Sequence, residues 1–186
     1  MSRNIALFGM MGAGKSTVAA LTADRLGRRA VDTDEELRAW TGRSVPEIFA
    51  AYGEAGFREL ERQVVEELAR FNDLVLALGG GTVLSDDNVS ALLLTGVLVE
   101  LRAGPEVLVA RLRAEEQSAD RPLLDSDDLA GSVRRTYEQR ASRYAAVADV
   151  TVDAERDPDA VVEDILAWAM GSGDVLTPSE HEQVMT

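Results

Sequence analysis

The octapeptide Gly9-Met10-Met11-Gly12-Ala13-Gly14-Lys15-Ser16 constrains this chain more than any other stretch, because of what flanks it. Ile5-Ala6-Leu7-Phe8 is a short apolar run that reads as a buried strand. From Lys15 the spacing turns helical, with Val18, Leu21, Thr22 and Leu26 on one face and Gly27 as the stop. A strand, a G-x-x-x-x-G-K-[ST] loop and a helix in that order describe a phosphate-binding loop, whose glycines let backbone N–H groups surround an anion. Of the 19 lysines and arginines in the chain, Lys15 is the single lysine. A bias toward arginine accounts for the other positions. At Lys15 a compact ammonium on a flexible stem can bend over the loop toward β- and γ-phosphates, where a planar guanidinium is a poor substitute.

The rest of the chain repeats the alternation. A second strand, Ala30-Val31, ends at Asp32-Thr33-Asp34, and helical segments follow from Glu35 to Trp40 and from Ser44. Ser44-Val45-Pro46-Glu47 is a capping box with an early proline. Gly53 and Gly56 should break the chain before a helix over Phe57 to Phe71, whose stripe is Phe57, Leu60, Val64, Val65, Leu68 and Phe71. Leu74 to Leu78 is a continuous apolar run, as in a strand buried on both faces, and ends in Gly79-Gly80-Gly81. A helix after Ser85, a strand Val97–Leu101, a helix opened by Pro105, a long helix from about Leu129 to Ala146, a strand Val150–Val152 and a helix from Pro158 to Met170 complete the pattern. Five strands alternating with helices predict an α/β fold, a three-layer α/β/α sandwich around a parallel sheet. The stretch from Ala114 to Asp128 is charged, lacks apolar periodicity and reads as a mobile loop. Residues 171–186, with Gly-Ser-Gly and scattered acids, read as a disordered tail.

With 186 residues the chain is sized for one domain. It has no cysteine, hence no disulfide framework and no thiolate zinc site. No apolar run approaches the roughly 18 residues of a membrane span, and the first residues lead straight into a strand without a signal-peptide pattern. These points predict a cytoplasmic protein. A net charge of −14 argues against a nucleic-acid partner and requires any anion site to concentrate its own cations. The one histidine, His181, lies in the tail, so either a proton acceptor in the folded body is a carboxylate or the chemistry proceeds without a strong base.

In a doubly wound sheet, ligands collect at the carboxyl ends of the strands. Three unusual motifs fall there: the glycine loop, Asp32-Thr33-Asp34 and Gly79-Gly80-Gly81. Each alone could be a turn. Asp32 and Asp34 on extended backbone would point the same way, one holding Mg²⁺ through water and the other meeting a substrate hydroxyl. Helix N-capping by Asp34 is the plainer alternative. The triple glycine forms an open shelf against which a ring could lie.

Over residues 4 to about 170 the chain resembles the shikimate kinases. The matching pieces are the loop from Gly9 to Thr17, Asp32-Thr33-Asp34, Phe57-Arg58-Glu59-Leu60-Glu61, Gly79-Gly80-Gly81, Arg121-Pro122-Leu123-Leu124, and Arg140 ahead of Arg143-Tyr144. The first motif is shared by many nucleotide-binding proteins; the ordered set is specific. The resemblance implies a P-loop NTPase-like domain over 1–170, with a helical substrate-binding segment at about 33–61 and a lid at about 114–128. It implies an ATP-dependent phosphotransferase acting on the 3-hydroxyl of shikimate, with Mg²⁺, as a monomer. Gly12, Ala13, Gly14, Lys15, Ser16 and Thr17 would hold the nucleotide, and Ser16 with Asp32 would place Mg²⁺. Asp34, Arg58, Gly79, Gly80, Gly81 and Arg140 would form the shikimate site, the two arginines clamping its carboxylate. Lys15, Asp34 and Arg121 would be catalytic, Arg121 arriving with the lid to neutralise charge on the transferring group.

Each arginine also has a bland reading. Arg58 could be an exposed i, i+3 ion-pair member near Glu61. Arg140 could belong to a solvated basic face with Arg134, Arg135 and Arg143. Arg121 before a proline could be loop punctuation. Arg111 and Arg113 compete for a place beside the nucleotide. Two rival functions stand: a kinase of the same fold acting on another polyol such as gluconate, and a nucleotide-dependent binding protein without turnover.

Overall fold

The computed structural model describes residues 2–114 and 128–185. Five strands, β1 (Asn4–Phe8), β2 (Arg29–Asp32), β3 (Leu74–Ala77), β4 (Gly96–Arg102) and β5 (Val150–Asp153), form one sheet in the order β2-β3-β1-β4-β5. Every neighbouring pair is parallel. β1 and β3 are buried along their whole length, which explains their unbroken apolar runs. The helices are α1 (Lys15–Leu26), α2 (Thr33–Thr41), α3 (Val45–Leu68), α4 (Asp86–Thr95), α5 (Pro105–Ala114), α6 (Leu129–Val147), α7 (Pro158–Gly171) and α8 (Pro178–Val184). α1 packs against β2 and β3 and against α7 and α8, while α4 and α6 lie on β4 and α3 lies beside α4. Between these layers Ile5, Leu7, Phe8, Leu76, Leu98, Leu101, Leu108 and Ile165 fill the core.

The register brings the three motifs together. Leu7 and Asp32 are both aligned with Ala77, so the chain leaves β1, β2 and β3 at one level of the sheet. α3 starts at the Ser44 capping box, where the Ser44 amide donates to Glu47 Oε2 at 2.7 Å, with proline in the first turn. It is interrupted at Gly53, whose φ of 68° and ψ of −176° lie outside the helical region. Phe49 and Phe57 stack across the interruption with centroids 4.5 Å apart, fixing the second half of α3 against the first. Gly56, expected to share the break, lies inside the helix. The helix also stops at Leu68, leaving Phe71 exposed beyond the stripe assigned to it.

The expectation of a disordered tail is corrected. Val175 and Leu176 are buried, and α8 opens with a capping box between Thr177 and Glu180. Arg28, between α1 and β2, donates to Glu180 Oε1 at 2.7 Å, to Val175 O at 2.8 Å and to Arg3 O at 2.7 Å. Arg3 and Arg28 immediately precede β1 and β2, so the tail docks at the sheet edge opposite the glycine loop. His181 is therefore part of the folded body, but on α8, away from the strand ends that carry the motifs.

Candidate active site

The octapeptide wraps from β1 into α1. Val18 N bonds Gly14 O at 2.9 Å, starting the helix, and Gly14 is its left-handed N-cap. The amides of a first helical turn have no intrahelical acceptor and carry the positive end of the dipole, a ready anion site. Lys15 Nζ folds over the loop and donates to Gly9 O at 3.2 Å and Met10 O at 3.0 Å. Gly12, Ala13, Ser16 and Thr17 complete this loop and first turn as the sequence requires. Arg111 reaches the loop, with NH1 3.5 Å from Gly12 O and NH2 3.3 Å from Glu155 O, whereas Arg113 is exposed.

Ser16 donates to Asp32 Oδ2 at 2.6 Å. The two aspartates do not share an extended strand: α2 begins at Thr33. Asp32, not Asp34, is its N-cap, with Oδ1 accepting from Asp34 N at 2.9 Å and Glu35 N at 3.4 Å. Asp34 sits in the first turn of α2 and lines the cleft. The Ser16 hydroxyl and Asp32 carboxylate form a small hard-oxygen donor set. Among the described residues no group of three or more His, Cys, Asp or Glu could hold a metal. That combination fits Mg²⁺, which keeps water and phosphate oxygens in its shell and needs few protein ligands.

The triple glycine lies where three elements converge. A Cβ on Gly79 would sit 3.1 Å from Asp34 Oδ1, and one on Gly81 would be 2.5 Å from NH1 of Arg58. The missing Cβ atoms let the Asp34 carboxylate and the Arg58 guanidinium lie against the backbone of the shelf. Thr33 Oγ1 accepts from Gly79 N at 2.9 Å, tying the shelf to the end of β2. On the other side Arg140 NH1 donates to Gly80 O at 2.9 Å, and the Tyr144 hydroxyl donates to the same carbonyl at 2.5 Å. Burial pushes the Tyr144 phenol up, so it stays a neutral donor, and its ring meets Phe8 edge-on.

Arg58 does form the i, i+3 pair the spacing allowed, with NH1 2.8 Å from Glu61 Oε2, but the pair is not a surface one. Glu61 is only 2% exposed. Arg134 and Arg135 are the solvated members of their cluster, paired to Glu106 and Asp128. Arg140 and Arg143 face the other way, Arg143 donating to Val83 O at 2.9 Å. Lys15, Ser16, Asp32, Asp34, Arg58, Gly79, Gly80, Gly81 and Arg140 thus line one cleft of about 480 Å³. Arg121 lies outside the described residues, as do residues 115–127 of the expected lid. Sequence reasoning missed the wall formed by Val45, Pro46, Phe49 and Phe57. It also gave no role to Thr33, Thr82 or Tyr144, whose partners are distant in the chain.

The glycine loop's Lys15 and the guanidiniums of Arg58 and Arg140 line the same cleft, which can hold two anions and bring a hydroxyl toward a terminal phosphate. With the parallel sheet, this arrangement defines a P-loop phosphotransferase of small molecules. The shikimate kinase family model matches residues 11–170. The chain is 42% identical over 161 residues to the shikimate kinase of Synechococcus elongatus, covering 86% of this chain and 83% of that one. It is 44% identical over 153 residues to that of Thiobacillus denitrificans, covering 82% of each. The shikimate kinase of Acinetobacter baumannii, solved in complex with shikimate, superposes with a TM-score of 0.87 at 33% identity, over 93% of this chain and 96% of that one. The chain belongs to the shikimate kinase family.

Proposed function

We propose that this protein transfers the γ-phosphoryl group of ATP to the 3-hydroxyl of shikimate, giving shikimate 3-phosphate and ADP for chorismate and aromatic amino-acid synthesis. The observation that carries the reading is the convergence of Lys15, Asp34, Arg58 and Arg140 on one cleft floored by Gly79, Gly80 and Gly81.

The loop amides from Gly12 to Thr17 and Lys15 would hold the phosphates of ATP, with Arg111 beside them. Arg58 and Arg140 would take the substrate carboxylate, because a planar fork matches two carboxylate oxygens. Asp34 would accept a hydrogen bond from a ring hydroxyl and turn its lone pair toward the γ-phosphorus. Ser16 and Asp32 would hold Mg²⁺, which when bound neutralises phosphate charge. Arg121 is given its place beside the transferring phosphoryl by the resemblance alone. The rate enhancement then comes from positioning and charge neutralisation, which suits a cleft with no histidine among its lining residues.

Among the described residues no helix is long and apolar enough to cross a membrane. A monomer acting in the cytoplasm is the assignment we make. The discriminating experiment offers shikimate, gluconate and a carboxylate-free cyclitol in turn with ATP and Mg²⁺. Phosphorylation of shikimate alone is expected. Turnover of gluconate with shikimate inert would overturn the substrate assignment, and ATP affinity without turnover of any acceptor would favour a binding protein.

A further inference from the structure

A buried polar chain runs behind Arg58. Glu61 accepts from Arg58 through Oε2 and from the Thr82 hydroxyl through Oε1, each at 2.8 Å. Thr82 is fully buried and is absent from the residues lining the cleft. It is itself fixed on two sides. Its amide closes the glycine turn on Gly79 O at 3.1 Å, and its carbonyl accepts from Asn88 Nδ2, on α4, at 3.0 Å. The hydroxyl therefore has little freedom to point elsewhere.

A buried carboxylate is an acceptor only, and each desolvated oxygen needs its own donor. With Thr82 on Oε1, Glu61 offers Arg58 a single oxygen. The guanidinium then lies across Gly81, its NH1 and NH2 at 2.5 and 2.6 Å from where a Cβ would be. Without the hydroxyl, Oε1 would be left buried and unsatisfied, and the carboxylate would gain by turning both oxygens to Arg58. That bidentate pairing would draw the guanidinium toward α3 and away from the cleft.

We propose that Thr82 is a positioning residue for the acceptor site: its hydroxyl holds Glu61 so that Arg58 faces the substrate carboxylate. The inference rests on Arg58 being a shikimate contact. Thr82 does not line the cleft, and its backbone bond to Gly79 does not depend on its side chain, so the hydroxyl can be tested alone.

The test compares wild type with Thr82→Val, Thr82→Ala and Thr82→Ser in steady-state ADP release, with each substrate varied and the melting temperature recorded. Loss of a hydrogen bond to a charged group predicts a rise of about three- to tenfold in the KM for shikimate for the valine and alanine variants. The KM for ATP should be unchanged and kcat should hold within about twofold. Thr82→Ser should restore the wild-type KM. Calorimetric titration with shikimate then closes a double-mutant cycle: in an Arg58→Ala background, Thr82→Val should add no further loss. Wild-type KM values in both the valine and alanine variants, failure of serine to rescue, or the same penalty without Arg58 would each overturn the inference. If instead wild type itself shows no shikimate-dependent ADP release, the acceptor assignment falls and this inference falls with it.

Discussion

Arg140 NH1 donates to the carbonyl of Gly80 across 2.9 Å, joining α6 to the shelf that follows β3. The contact explains why an arginine that could have been one of several on a solvated helix is turned into the cleft. The carbonyl sets its direction, and the Tyr144 hydroxyl on the same oxygen locks the shelf in place. For Arg140→Ala we therefore expect the KM for shikimate to rise about 10- to 100-fold, the cost of losing a charged hydrogen-bond donor. The KM for ATP should change little. Equal loss of both would contradict the assignment.

Gly81 supplies an independent probe of the other arginine. Its φ is not in the left-handed region, so alanine there brings no backbone strain. Its new methyl would meet the Arg58 guanidinium at less than contact distance. Gly81→Ala should displace Arg58 and raise the KM for shikimate by about tenfold or more, while urea titration finds the fold within about 1 kcal/mol of wild type. An unchanged KM would mean that Arg58 is not a substrate contact.

Lys15→Arg keeps the charge and changes the shape. The ammonium reaches two loop carbonyls from a compact position, which a forked guanidinium cannot reproduce. The variant should fold, with circular dichroism matching wild type, and lose at least about 100-fold in kcat. A fully active Lys15→Arg enzyme would mean that Lys15 is a coincidence of composition.

The tail gives a prediction about acid stability. Burial pushes the Glu180 carboxyl up, but hydrogen bonds from Arg28 and from the Thr177 amide outweigh it, so its pKa is held below the ordinary value. A carboxylate with a depressed folded-state pKa adds stability above its unfolded pKa and loses it as pH falls through the folded one. Glu180→Gln should thus be less stable than wild type at pH 7, by about 3 kcal/mol for a broken buried pair. The gap should close as pH drops below about 4, the ordinary glutamate range. Urea titrations at several pH values read it directly; a gap independent of pH would remove the ion pair as its cause.

Much of this was legible in the chain. β1 and β3 announced themselves as apolar runs because the middle of a parallel sheet is buried on both faces, whereas the edge strands β2 and β5 are short and partly exposed. The Ser44 capping box is a local code that any reader of four residues can find. What escaped was non-local. Nothing near Asp32 says that α2 begins one residue later, which makes it an N-cap and a partner of Ser16 at once. Nothing in the polar residues around Glu180 points to Arg28, 152 positions away. The i, i+3 spacing of Arg58 and Glu61 was visible, but their burial depends on Thr82 and Gly81, which the sheet brings in from β3.

The central claim is that one cleft joins a nucleotide to shikimate. Its most direct test is a coupled assay of ADP release by the wild-type protein, with ATP and Mg²⁺ present, before and after shikimate is added. The account predicts slow or no release without shikimate, and a saturable increase to about 1–10³ per second, the usual range of enzymes, once it is added. Release at the same rate with and without shikimate would contradict it.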